Sequence, residues 1–176
     1  MMKTILMSLL AVLFVNASAQ VRNNVDPTMV IRAPGMGSTS EAGVGALIPW
    51  AGRLWAVGYV AHIRGEGLGL YEVGPDMKFS RRKESVTGTF ANRFIHWPTG
   101  QAIIGPFAIN EKGKDRTINA LVGHRLAGTA SHLADPNKAY FLTMEGLLFE
   151  TDLRTLDTKQ LFDLTKELDW TEGAYL

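Results

Sequence analysis

The stretch DPNKAYFLTMEGLLFETDLRTLDTKQL, residues 135–161, reads as a small β-meander. Asp135-Pro136-Asn137 sets a tight reversal. From Lys138 to Met144 the residues alternate, with Ala139, Phe141 and Thr143 on one face and Tyr140 and Leu142 on the other. Gly146 interrupts the run, Leu147 to Leu153 resumes it, and Thr155 to Thr158 turns again. Three strands this short bury no core of their own. The rest of the chain has to supply what they pack against.

The same grammar recurs upstream. ALIPW (46–50) is followed by a turn at Ala51-Gly52-Arg53 and by LWAVGYVAH (54–62). The glycine-rich IRGEG then leads to LGLYEV (68–73), a GPDM turn and KFSRRKES. A second unit runs ANRFIHW, PTG, QAIIGPFAIN, EKGK and DRTINALV; a third starts at LAGTASHL and ends in the opening stretch. The first and third units share an order of turn, aromatic-aliphatic strand, glycine, then Leu-x-aromatic-Glu. Leu54 to Ala102 is 48 positions and Ala102 to Ala139 is 37, which brackets the blade length of a β-propeller. The expectation is an all-β fold of about three four-stranded blades, each covering the faces of its neighbours. Only TKQLFDLTKELDW (158–170) spaces leucines (Leu161, Leu164, Leu168) as a helix would.

Composition bounds the function. The chain has 176 residues, 46% of them hydrophobic, with 18 Lys and Arg against 17 Asp and Glu. Its charges are dispersed, so it carries no electrostatic footprint for nucleic acid. The absence of cysteine excludes disulfides, thiol nucleophiles and thiolate metal sites. Lys3, the apolar run from Thr4 to Val15 and Ala17-Ser18-Ala19 before Gln20 form the three regions of a secretory signal peptide. No later stretch has membrane-spanning length. The expected organisation is a signal peptide over 1–19, a polar lead-in over 20–44 and an incomplete propeller over 45–176.

LIPWAGRLWAVGYVAHIRGEGLGLYEV, ESVTGTFANRFIH, IIGPFAI and SHLADPNKAYFLTMEGLLFETDLRTL resemble the first half of a family of secreted seven-bladed propellers. These are carbohydrate-active proteins of polysaccharide-degrading Bacteroidetes: ulvan lyases, rhamnosyl-glucuronate lyases and an exo-α-L-rhamnosidase. The resemblance covers roughly residues 36–165, with ANRFIH and TMEG its most specific parts. It implies a secreted or periplasmic protein that acts on or binds acidic polysaccharide containing rhamnose and glucuronate; no cofactor is expected, and no metal, since the four histidines lack metal-site spacing. The blade count, too few to close, sets the further expectation of self-association through open blade edges. The other reading is a non-catalytic fragment that binds glycan or protein.

A uronate lyase neutralises the carboxylate, removes the neighbouring proton and protonates the leaving oxygen, work for Arg, His and Tyr. The resemblance matches His62 to a catalytic histidine of the lyases. It places a second histidine where this chain has Arg82, just before Glu84-Ser85. Arginine can bind a carboxylate but stays protonated, so Arg82 is a candidate for substrate neutralisation and not for proton abstraction. The rhamnosidase branch uses a histidine earlier in the chain, and none precedes His62. Further binding candidates are Asn92, Arg93, His96 and His132. Alternation puts Asn92 and His96 on one face and Arg93 on the other, either lining a channel or satisfying strand-edge carbonyls. His124-Arg125 reads as a solvated pair. Trp50 and Trp97 are candidate sugar platforms, and Trp55 reads as core.

Overall fold

In the computed structural model, which describes residues 42–60, 69–83 and 85–168, the chain folds into three four-stranded antiparallel sheets in sequence order. The first joins β1 (Ala42–Trp50), β2 (Arg53–Val60), β3 (Leu70–Val73) and β4 (Phe79–Arg81). The second joins β5 (Arg93–His96), β6 (Gln101–Ile104), β7 (Phe107–Asn110) and β8 (Asp115–Thr117). The third joins β9 (Leu126–Ser131), β10 (Lys138–Thr143), β11 (Leu147–Asp152) and β12 (Thr158–Asp163). Within each sheet every strand pairs with its neighbour in sequence. All described residues fall in one unit, Arg32–Leu176. The expected signal peptide, most of the lead-in, and His62 with its IRGEG loop lie outside the described residues.

Turn chemistry sets the registers. Ala51 and Gly52 both have positive φ (52° and 71°), the requirement of a two-residue type I′ hairpin, and Trp50 pairs with Arg53 across it. Gly105 (φ 56°) followed by Pro106 turns QAIIGPFAIN into a hairpin closed by Ile104 and Phe107. β1 begins at Ala42, earlier than the expected end of the lead-in. The helical expectation for 158–170 is met only by α1 (Leu164–Glu167); the six residues before it are the outer strand β12. Pairing with β11 decides this, since Phe162 stands opposite Leu148 and Lys159 opposite Glu150.

The sheets are equivalent residue by residue. Leu54, Ala102 and Ala139 are each the second residue of the second strand. The next residues, Trp55, Ile103 and Tyr140, point to the opposite face. That second face, here the trailing face, lies against the leading face of the following sheet. Arg82, beside the trailing face of the first sheet, reaches Asp115 of the second. Arg116, on the trailing face of the second, donates to the Leu153 and Arg154 carbonyls in the β11–β12 turn of the third. Ile48, Trp55 and Val57 share one buried cluster with Ile104, Phe107 and Ile109, and with Ala139 and Phe141.

Phe90 is where the three sheets meet. Its N–H donates to the Gly58 carbonyl of the first sheet. On either side of it, Ala91 N–H donates to Leu126 O and Leu126 N–H to Thr89 O, both at 2.9 Å, a parallel bridge to the first strand of the third sheet. The ring is fully buried, edge-on to Phe107 with centroids 6.1 Å apart. Gly88 leaves room for the ring and Gly45 for the Phe90 carbonyl; a Cβ at either would collide with them.

Candidate functional site

Arg82 is held between two sheets. Its Nη2 lies 2.7 Å from Asp115 and its Nη1 3.0 Å from Glu72, and its guanidinium stands 5.7 Å from the Trp55 ring centroid. Partial burial works against its charge, but the two carboxylates outweigh it and raise its pKa. Asp115 has only 1% of its side chain exposed. The guanidinium therefore serves as an inter-sheet clamp.

Asn92 and His96 do share a face, as alternation predicts, and both are buried, whereas Arg93 is exposed. Asn92 Nδ2 donates to Gly105 O at 2.9 Å and to Thr129 Oγ1 at 2.8 Å, tying the second sheet to the third. His96 Nδ1 is 2.8 Å from Thr99 Oγ1, and its ring packs against Phe94. Burial lowers the His96 pKa; the nearby Lys138 carbonyl favours protonation but does not win, and Arg154 opposes it.

A folded-state pKa below the free value of 6.5 means that only the unfolded chain gains a proton as pH first drops past that value. His96 thus contributes stability that is complete above pH 6.5 and is lost as pH falls through its folded pKa. The unfolding free energy should therefore decrease as pH falls through 6.5, before the carboxylates titrate. His96→Gln should flatten this limb; an unchanged slope would show that His96 is not its source.

His132 lies on the trailing face of the third sheet. Its Nδ1 accepts backbone N–H groups of Ala134 (3.0 Å) and Asp135 (2.7 Å), so the proton sits on Nε2 and points at Glu150, 3.0 Å away. Both ring nitrogens are committed, which leaves no lone pair for accepting a substrate proton. Glu150 also takes Lys138 at 3.0 Å and Lys159 at 3.2 Å. Its hydrogen bond from Lys138 is the main reason its pKa is lowered.

The candidates do not converge. Arg82 belongs to the first junction, Asn92 and His96 to the second, and His132 to the outer face of the third sheet. His124-Arg125 is corrected: Arg125 is buried and pairs with Glu145 at 2.7 Å, while His124 leans on Phe149. Burial opposes the Glu145 charge, but the Arg125 hydrogen bond, with backbone and Thr143 support, lowers its pKa. A buried arginine with a partner twenty residues on is a spatial fact that local composition does not carry. Of the motifs behind the resemblance, ANRFIH joins the second sheet to the third, and TMEG closes the third sheet through Arg125.

One surface combines the groups that sugar recognition needs. Trp97 is 73% exposed at the β5–β6 turn and meets Trp50 edge-on at 6.0 Å. Trp50 is anchored by its Nε1–H to Asn110 O at 3.0 Å. It also borders a shallow groove of about 510 Å³ lined by Pro49, Arg53, Leu54, Val73 and Pro75. Arg53 is 40% exposed and only loosely paired, 3.8 Å from Glu72. Sequence reasoning singled out both tryptophans but not Arg53, whose place opposite Trp50 depends on the hairpin register. Trp55 is core, with Nε1–H donating to Trp50 O. Among the described residues no group of three His, Cys, Asp or Glu side chains is arranged to hold a metal ion, and no helix is long and apolar enough to cross a membrane. Comparison with protein-family models, curated proteins and solved structures finds no match to this chain.

Proposed function

We propose that the three sheets are consecutive blades of a β-propeller in an exported protein that binds acidic, rhamnose- and glucuronate-containing polysaccharide. Support for the blades comes from the parallel bridge at Phe90 and Leu126, which sets the segment leading into the second sheet beside the first strand of the third. A two-sheet sandwich has no use for a third stacked sheet or for such a bridge. The observation that carries the binding reading is Trp97, an exposed aromatic plane beside Trp50 and within one hairpin of the Arg53 guanidinium. Sugar C–H faces pack on such a ring, and arginine recognises a uronate carboxylate through paired N–H donors. Binding is favoured over cleavage because Arg82, His96 and His132 are all engaged within the fold.

Titration calorimetry with a rhamnosyl-glucuronate oligosaccharide tests this reading. Trp97→Ala and Arg53→Ala should each weaken binding by about tenfold, the scale of one aromatic contact or charge-assisted hydrogen bond. Unchanged affinity in both variants would remove this surface from the proposal. Release of an unsaturated uronate absorbing in the ultraviolet, abolished by His62→Ala, would establish the lyase reading instead.

A further inference from the structure

One row of charge on the trailing faces breaks in the middle sheet. Trp55, Glu72 and Ser80 stand abreast in the first sheet, and Tyr140, Glu150 and Lys159 in the third. In the second sheet the same row reads Ile103, Ala108 and Arg116. Glu72 neutralises Arg82, two residues beyond Ser80, at 3.0 Å, and Glu150 neutralises Lys159 at 3.2 Å. Ala108 offers Arg116 no such partner.

Arg116 turns to uncharged acceptors instead. Its Nη1 donates to Arg154 O at 2.9 Å and its Nη2 to Leu153 O at 2.8 Å. Arg154 is tethered at the same turn by its Nε, which donates to Asn137 Oδ1 at 2.6 Å, and its Nη donors have no acceptor among the described residues. Both arginines are exposed, and neither joins an ion pair among the described residues. The acid nearest Arg154 in sequence, Asp152, has one carboxylate oxygen occupied by the N–H groups of Arg154 and Thr155. Two guanidiniums are thus gathered at one turn with their charge uncompensated, and an oxyanion bound there relieves their repulsion.

Trp97 links this turn to Arg53. It follows His96, which pairs with Gln101, and Gln101 Nε2 donates at 3.0 Å to the same Leu153 carbonyl that Arg116 uses. On the side of the first sheet Trp97 meets Trp50, which pairs with Arg53 across its hairpin. The exposed indole therefore stands between one arginine of the first sheet and two at the second junction.

We infer that Arg116 and Arg154 form a second carboxylate subsite, so that the bound glycan carries a uronate on each side of the sugar resting on Trp97. The first uronate meets Arg53 and the second meets the arginine pair, each through charge-assisted N–H donors. This deepens the glycan-binding reading and rests on it, because Trp97 is the centre of both.

Calorimetry on the full chain with two trisaccharides of equal length tests this. One is glucuronyl-rhamnosyl-glucuronate, with two carboxylates; in the other, one glucuronate is reduced to glucose. The doubly charged ligand should bind about tenfold more tightly, the scale of one hydrogen bond to a charged group. Arg154→Gln, at an exposed turn position, should erase that difference and leave the affinity for the singly charged ligand unchanged. Equal binding of the two trisaccharides to the wild-type chain, both weakened by Trp97→Ala, would refute the second subsite and leave the glycan reading standing. If neither trisaccharide binds, both fall together. Should Arg154→Gln lose cooperative unfolding, the two ligands on the wild-type chain decide the matter alone.

Discussion

Phe90→Ala is expected to lower the unfolding free energy by about 3–5 kcal/mol, the range for truncating a fully buried phenylalanine. The upper part of that range is the better expectation. The ring fills a space bounded by Phe107 and by glycines whose backbones cannot advance without moving a junction. The cavity therefore has little means of collapse, and the cost of such truncations grows with the volume left empty. Denaturant unfolding should show a lower midpoint. Phe162→Ala, at a half-exposed aromatic of the same type, should change stability by no more than about 0.5 kcal/mol. A loss below about 1 kcal/mol for Phe90→Ala would mean that the sheets do not depend on this junction.

Arg82→Ala should cost a similar amount, about 3–5 kcal/mol, for a different reason. Deleting the guanidinium strands Asp115, a carboxylate with 1% of its side chain exposed, in the apolar seam between two sheets. Glu72 suffers less, because it is more exposed and keeps Arg53 nearby. The double substitution Arg82→Met with Asp115→Leu removes the stranded charge and should restore most of the stability. If the double variant is as unstable as Arg82→Ala, the penalty comes from lost packing over Trp55 and not from the buried acid.

Strand positions and the repeat were legible because apolar alternation and turn residues are local. The spacings of 48 and 37 residues place Leu54, Ala102 and Ala139 at one structural position. Outer strands were harder to see. Phe79–Arg81 has three exposed residues, so its hydrophobicity follows no period, and Thr158–Asp163 shares its leucine spacing with a helix. The candidate site was legible in kind but not in arrangement. Asn92, His96 and Arg82 are polar residues at or beside strand ends, a pattern that serves a catalytic cleft and a buried joint equally well. Their partners, Thr129, Lys138 and Asp115, lie in the next sheet, 33 to 42 residues away along the chain. His132 is decided by two backbone N–H groups, which no side-chain pattern reveals.

The meander order of every sheet bears on how the chain reaches this state. Each ladder joins strands adjacent in sequence, most of them across short turns, so the entropy of closing loops stays small. The long-range closures are few, and those at Phe90 reach back to Gly58 and forward to Leu126, 32 and 36 residues off. Sheets can thus zip locally and dock afterwards, which is fast for a β protein. The same order leaves each apolar face waiting for its successor, and during synthesis that interval is when the chain is most exposed to the wrong neighbour.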